Sequence, residues 1–232
     1  MKGSNIISIA IDGPSGAGKS TVARSAAKRF GFVYVDTGAI YRTIGLAAMN
    51  AGADTKDPTA VEAVLPTLNI ELKYIDGEQR MFLDGKDVSK EIRLPEVSMC
   101  ASNVSAMQHV RDYLTDMQRD LARKHNVIMD GRDIGTVILP NADLKIFLTA
   151  SAEARAQRRW KELQAKGISD SFEEVLADMK KRDAQDTERK AAPLVAAADA
   201  VLLDTGSLTL EESIDAVCRL IAERTGAKAV TA

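Results

Sequence analysis

The residues best suited to chemistry form one contiguous run, Gly13-Pro14-Ser15-Gly16-Ala17-Gly18-Lys19-Ser20. They fit the phosphate-binding pattern G-x-x-x-x-G-K-[ST] at every position. The residue types have a physical reason. Glycines let successive backbone N–H groups curl around an anionic phosphate. A helix that starts at the end of the loop adds the positive end of its dipole. Lys19 has the reach for β- and γ-phosphates, and the Ser20 hydroxyl is a ligand for Mg²⁺. With Thr21, these residues are the expected nucleotide-phosphate site. The flanks agree: Ile6–Ile11 reads as a buried strand entering the loop, and Thr21–Phe30 as the helix leaving it, stopped at Gly31. A dinucleotide reading of Gly16-Ala17-Gly18 leaves Lys19-Ser20 unexplained.

Further charged groups stand just past the carboxyl ends of expected strands, the edge where open parallel sheets bind ligands. Asp36 and Thr37 follow one strand, and Asp130-Gly131-Arg132-Asp133 follows another. A single Asp in such a place serves equally as a helix cap or turn former. The cluster Asp130, Arg132 and Asp133, in a chain with a phosphate loop, points to function. Arg155, Arg158 and Arg159 lie at helical spacing, as do Arg182, Asp183, Asp186 and Arg189. Such a run alone reads as a solvated, ion-paired face. Phosphoryl transfer, however, needs cations that arrive as charge spreads over the transferring group. A basic helical pair with a bend at Gly167 would close over nucleotides and exclude water.

These groups need a scaffold. Phe32–Asp36, Val127–Asp130, Leu144–Leu148 and Ala200–Asp204 read as further core strands, and Thr37–Asn50, Pro95–Ser105, Val110–Lys124 and Leu210–Thr225 as helices. Strand and helix in alternation is the rhythm of a parallel sheet with right-handed crossovers. The rhythm breaks at Ile70–Val88. Short alternating runs separated by Asp76-Gly77 and Asp84-Gly85 read there as an antiparallel meander inserted into the α/β core. Residues 152–190 read as one charged helical region.

With 232 residues, 45% hydrophobic and 28% charged, the chain suits one α/β domain with small insertions. Its 31 basic and 33 acidic residues leave a net charge of -2, which argues against a nucleic-acid or membrane-surface binder. No run approaches transmembrane length and no long apolar signal segment opens the sequence, so a cytoplasmic enzyme is expected. Cys100 and Cys218 read as buried reduced thiols rather than a disulfide or metal pair. His109 and His125 take surface or helix-end roles. Trp160 packs locally, and Met99, Met107, Met117 and Met129 fill the core.

The motifs together resemble one family. Ile9–Ser20, Asp36-Thr37-Gly38-Ala39-Ile40-Tyr41-Arg42, Asp130-Gly131-Arg132-Asp133-Ile134-Gly135-Thr136-Val137 and Arg182-Asp183 with Asp186 and Arg189 are similar to bacterial cytidylate kinases. Ala191-Ala192-Pro193-Leu194 and the meander at Ile70–Ser89 are similar too, so the resemblance runs through nearly the whole chain in order. It implies a parallel-sheet P-loop nucleoside monophosphate kinase fold, with a small antiparallel β insertion at 62–96 and a helical lid at 152–190 within a single domain, 1–232. It implies ATP as phosphoryl donor, Mg²⁺, and CMP or dCMP as acceptor. Arg42, Arg132 and Arg189 would hold the acceptor phosphate. Ser102, Arg111 and Asp133 would face cytosine, and Arg182 and Asp186 the ribose. Thr37 stands where many relatives carry serine and keeps the hydroxyl. Lys19, Arg132, Arg155, Arg159 and Arg189 are the expected catalytic cations, and Ser20 and Asp130 the metal ligands.

Cytosine presents an amino donor where uracil presents a carbonyl acceptor, so a carboxylate such as Asp133 separates the two. An Arg111 guanidinium and a Ser102 hydroxyl donate to ring acceptors. The nucleophile is a phosphate oxygen already anionic near neutral pH, so neither Asp130 nor Asp133 is cast as a base. The enzyme rival is a P-loop kinase for another acceptor, such as UMP, AMP or shikimate. A GTPase switch is disfavoured by the lack of an Asn-Lys-x-Asp guanine-reading motif. Nucleic acid and membrane partners are not expected, and nothing demands more than a monomer.

Overall fold

A computed structural model describes residues 6–165 and 167–230. In chain order the elements are β1 (Ser8–Asp12), α1 (Lys19–Phe30), β2 (Val33–Asp36), α2 (Thr37–Asn50), α3 (Pro58–Val64), β3 (Ile70–Ile75), β4 (Glu78–Leu83), β5 (Lys86–Asp87), α4 (Pro95–Ser105), α5 (Gln108–Lys124), β6 (Val127–Gly131), β7 (Leu144–Thr149), α6 (Ala152–Ala165), α7 (Phe172–Glu188), β8 (Val201–Asp204) and α8 (Leu210–Thr225). A five-residue π-helical turn, Ile134–Ile138, follows β6. The chain divides into two units: the part up to Tyr34 together with the part from Ala122 onward, and Val35–Leu121.

The first unit is built on a sheet of order β2-β6-β1-β7-β8. β1 pairs in parallel with β6 and with β7, and β7 pairs in parallel with β8. Ile9, Ile11, Ile128, Ile146 and Leu148 are fully buried, as expected of parallel strands covered on both faces. The helices α1 and α8 complete this core with Ala23, Ala26, Ala27, Ile214, Val217 and Ile221. The small alanines of α1 let it lie close to its neighbours. Gly31 ends the helix in the left-handed region, with φ 67°. Of the short Ala-rich stretch Gly226–Ala232, the last two residues lie outside the described residues.

The helices α6 and α7 of this unit hold their own cluster of Ala156, Leu163, Val175 and Met179, with Trp160 and Phe172 packed against it. Gly167, at φ 75°, bends the chain between them. Ser171 and Glu174 form a reciprocal capping box at the start of α7. Trp160 donates from Nε1 to the Asp170 carbonyl at 3.1 Å, which locks the ring locally.

The second unit packs α2 and α4 together around Ile40, Ile44, Val97 and Val104, with Met81 of the meander and Val110 and Leu114 of α5. The meander is antiparallel in the order β3-β4-β5. Both Asp-Gly pairs turn with positive φ, 54° and 77° at Asp76-Gly77 and 51° and 79° at Asp84-Gly85, the geometry that matches strand twist.

Two expectations need correction. Met99 is 43% exposed and fills no core, because it faces away from the α2 side of α4. Cys100 and Cys218 are free thiols, as expected, but only half-buried. The helix α3 was not foreseen, although Asp57-Pro58 marks its start: the Asp57 carboxylate caps the Thr59 amide at 2.9 Å and Pro58 opens the first turn.

Candidate active site

The loop after β1 owes its shape to what surrounds it. Gly13 has φ 148°, and a Cβ there would fall 1.9 Å from the Leu148 carbonyl oxygen of β7. Only glycine fits so close to a neighbouring strand. A Cβ on Gly16 would meet Met179 Cε at 3.0 Å and Arg155 Cβ at 3.3 Å, so α6 and α7 rest on the loop. Gly18 takes the cap position of α1 at φ 86°, without a side-chain cap, which leaves the amides of the first turn to the loop's concavity. Pro14, Ser15 and Ala17 complete the curve, and Thr21 lies exposed on the first turn of α1.

Lys19 opens α1 and is buried. Its Nζ donates to the Pro14 carbonyl at 2.7 Å, folding the side chain back over the loop. Burial pushes its pKa well down and Arg132 adds to the effect, while Asp130, Asp12 and Asp186 oppose it. The loop and the charged strand end are thus electrostatic neighbours within the first unit. Ser20 Oγ donates to Asp130 Oδ2 at 2.9 Å, and Tyr34 Oη donates to Asp130 Oδ1 at 2.9 Å.

Past β6, the expected acceptor residues of this unit are joined in acid–arginine pairs. Arg132 Nε meets Asp186 Oδ2 at 2.7 Å, and Arg189 Nη2 meets Asp133 Oδ1 at 3.4 Å. Burial acts to raise the Asp186 pKa, but Arg132, with Arg182 and Arg189 behind it, outweighs burial and holds the carboxyl low. Arg189 also donates to the Ala192 carbonyl at 2.7 Å, where the chain turns back. Arg182 Nε is buried with no hydrogen-bond partner among the described residues. Burial, and then Arg132, lowers its pKa.

Arg155 and Arg159 part company. Arg155 is 4% exposed. It donates to the Ala150 and Ser15 carbonyls at 2.9 Å each and is bidentate to Asp183 at 3.0 and 2.6 Å. It therefore ties α6, α7 and the phosphate loop together. Arg159 is exposed and pairs with Glu162 of its own helix at 3.3 Å.

In the second unit, Thr37 is buried at the start of α2. The preceding Asp36 caps that helix through the Ala39 amide and accepts from Arg93 Nη2 at 2.6 Å. Arg42 donates to Ser98 Oγ at 2.7 Å. Arg111 is buried, donates to the Ser105 carbonyl at 2.8 Å and lies over the Tyr41 ring, while Ser105 Oγ donates to the Ser102 carbonyl. Ser102 and Arg111 are thereby linked through one residue.

Two residues of the first unit escaped the sequence reading. Asp12 ends β1 and its carboxylate accepts from the Ile134 and Gly135 amides at 2.8 and 2.7 Å. Burial pushes this carboxyl up to about 6, against those two hydrogen bonds. The strand-end criterion that singled out Asp130 would also have found it. Tyr34 had no such signal, since a tyrosine in an apolar strand reads as core.

A sheet in which the phosphate loop joins the central parallel strand to its helix, with arginines at the same strand ends, defines a P-loop kinase of the α/β class. A solved structure of similar fold is that of an uncharacterized protein from Eubacterium ventriosum, with a TM-score of 0.51 at 14% identity over 95% of this chain and 100% of that one. The cytidylate kinase profile matches residues 9–223. The cytidylate kinase of Caldicellulosiruptor bescii is 49% identical over 92% of this chain and 95% of its own length. That of Caldanaerobacter subterraneus subsp. tengcongensis is 50% identical over 94% and 96%. The chain belongs to the cytidylate kinase family. It is an enzyme, a nucleoside monophosphate kinase. No helix among the described residues is long and apolar enough to cross a membrane.

Proposed function

We propose that the chain transfers the γ-phosphoryl group of ATP directly to CMP and dCMP, giving the diphosphates. The observation that carries this reading is the direct link between the loop and the charged strand end: Ser20 Oγ donates to Asp130 Oδ2 at 2.9 Å, and Arg132, two residues on, pairs with Asp186 at 2.7 Å. A phosphate-binding lysine and an acid–arginine cluster at one strand edge supply a donor half and an acceptor half. The loop amides of Ser15–Thr21 take the ATP phosphates, and Lys19 neutralises charge on the β–γ bridge as it breaks. The triphosphate's negative charge restores the lysine's proton affinity that burial removes.

Arg132 and Arg189 take the acceptor phosphate, as does Arg42 of the second unit. Asp133 accepts from the cytosine amino group, Ser102 and Arg111 donate to ring acceptors, and Arg182 and Asp186 hold the ribose. The unpartnered Nε of Arg182 supports its assignment to a ligand. Attack comes from an acceptor phosphate oxygen, so catalysis is positioning and charge neutralisation without a general base. The helices α6 and α7 act as the lid, with Arg155 holding them to the loop and Arg159 exposed at their surface.

Ser20 and Asp130 fit Mg²⁺: both offer hard oxygens, and they already lie 2.9 Å apart. When bound, Mg²⁺ would supply charge neutralisation for the ATP phosphates. One carboxylate and one hydroxyl suffice, because substrate phosphates and water complete such a site. Coupled measurement of ADP formation against CMP, dCMP, UMP, AMP and shikimate tests the whole reading. CMP and dCMP should stimulate ADP formation strongly and the others weakly. Stimulation by another acceptor but not by CMP overturns it.

A further inference from the structure

The transfer chemistry makes no use of Asp12, yet its carboxylate is 4% exposed and makes two buried hydrogen bonds to residues more than a hundred positions away. Its partners are the consecutive amides of Ile134 and Gly135, which immediately follow Asp133. Asp133 itself leaves β6 at φ -144° and ψ 25°, outside regular helix or strand geometry. Its carbonyl then accepts from the Val137 and Ile138 amides at 2.8 and 3.2 Å, closing the π-helical turn. The direction of the Asp133 side chain is therefore set by a turn whose first two amides end on Asp12. Lys145 and Asp12 crowd the same Gly135: a Cβ there would lie 3.1 Å from Lys145 Cδ and 3.3 Å from Asp12 Oδ2. A side chain at Gly135 would therefore have to displace Asp12 or the Lys145 chain.

We infer that Asp12 is a positioning residue for acceptor recognition: by pinning the two amides after Asp133, it holds the Asp133 carboxylate in the orientation that reads cytosine. This rests on the reading of Asp133 as the group facing the base. Asp12 sits on the strand that enters the phosphate loop, so it also keeps the acceptor-reading turn in register with the donor loop. Asp12→Asn keeps the shape but offers only one acceptor oxygen; its NH₂ opposes the second amide, and the turn must shift. A displacement of about 1 Å at a positioned group costs on the order of 100-fold.

The test uses the full chain with Asp12→Asn, Asp12→Ser and Asp133→Asn, measuring kcat and KM for CMP, UMP and ATP. KM values and the CMP-to-UMP ratio of kcat/KM do not depend on the folded fraction, so a partly unfolded preparation still reports. Asp12→Asn should raise KM for CMP about 10-fold or more, shrink the CMP-to-UMP ratio by a similar factor and leave KM for ATP within about 2-fold. Asp12→Ser, whose shorter side chain reaches neither amide, should shrink the ratio at least as far. An unchanged ratio, or a rise confined to KM for ATP, overturns the inference. If Asp133→Asn also leaves the ratio unchanged, the base-reading assignment falls and takes the inference with it. If Asp133→Asn collapses the ratio and Asp12→Asn does not, the inference alone fails.

Discussion

The phosphate loop and the charged strand end after β6 lie in one unit but are built by opposite means. The loop is contiguous and made of backbone, with Gly13 and Gly16 admitting close neighbours. The strand end is made of side chains that reach one another over dozens of residues, Arg132 to Asp186 and Asp133 to Arg189. A backbone site offers the same amides to any triphosphate. A side-chain site holds its charges in mutual pairs and gains selectivity from which pairs a ligand can replace. The donor side is therefore expected to be generic and the acceptor side specific.

The sharpest way to break that contrast is at Lys19, the loop's one buried side-chain charge. Lys19→Ala should lower kcat by roughly 10⁴-fold, the scale of losing a cation on the transferring phosphoryl group. Binding of CMP, measured without turnover, should persist. Near-normal turnover would mean that the backbone alone carries the donor side. Next in size is Asp133→Ala. It should cost roughly 10³-fold in kcat/KM for CMP, because a site built on hydrogen bonds discriminates steeply. KM for ATP should barely move. Equal losses for both substrates would erase the distinction between the two regions.

The same contrast decides what was legible in the sequence. The loop, α1, α2, α4 and α8 could be read because periodicity, caps and Gly31 are local signals. The meander was legible for the same reason, through its Asp-Gly turns. The pairs at the strand end were not. Spacing put Arg155 and Arg159 on one face, yet only Arg155 is buried against Asp183 and the Ser15 carbonyl. Which arginine becomes structural depends on α7, a separate helix. The π-helical turn at Ile134–Ile138 was invisible because its leading amides are satisfied by Asp12, on another strand.

A smaller effect separates the regions by pH. Asp12 is pushed up by burial from 3.8 to about 6. Between these values the folded protein holds a proton that the unfolded chain has released. Stability from this group therefore falls as pH rises from about 4 to about 6, by roughly 3 kcal/mol at most, and stays reduced above that window. Asp12→Asn carries no such proton. The Tm of the wild type minus that of the variant should shrink as pH is raised from 4 to 7, since other groups cancel in the difference. A difference that is flat with pH would show that this carboxyl is not strained by burial, and that the strand end meets no desolvation cost at this point.

The smallest effect asks whether backbone shape outside the loop matters to the donor side at all. Gly31 stops α1 at φ 67°, and the Phe32 amide closes back on the Ala27 carbonyl at 2.9 Å. An alanine there must adopt the left-handed region, at a cost of about 1–2 kcal/mol. The reduced freedom of the unfolded chain offsets about half of that. Its Cβ would meet only Val230 Cγ1, at 3.3 Å, a side chain that has room to give. Gly31→Ala should thus lower stability by about 1 kcal/mol, roughly 3 °C in Tm for a chain of this size, with kcat and both KM values unchanged. The loop sits at the other end of α1, so a rise in KM for ATP would mean that the helix transmits its C-terminal strain to the first-turn amides. The donor site would then depend on the whole of α1 and not on the eight residues that announce it.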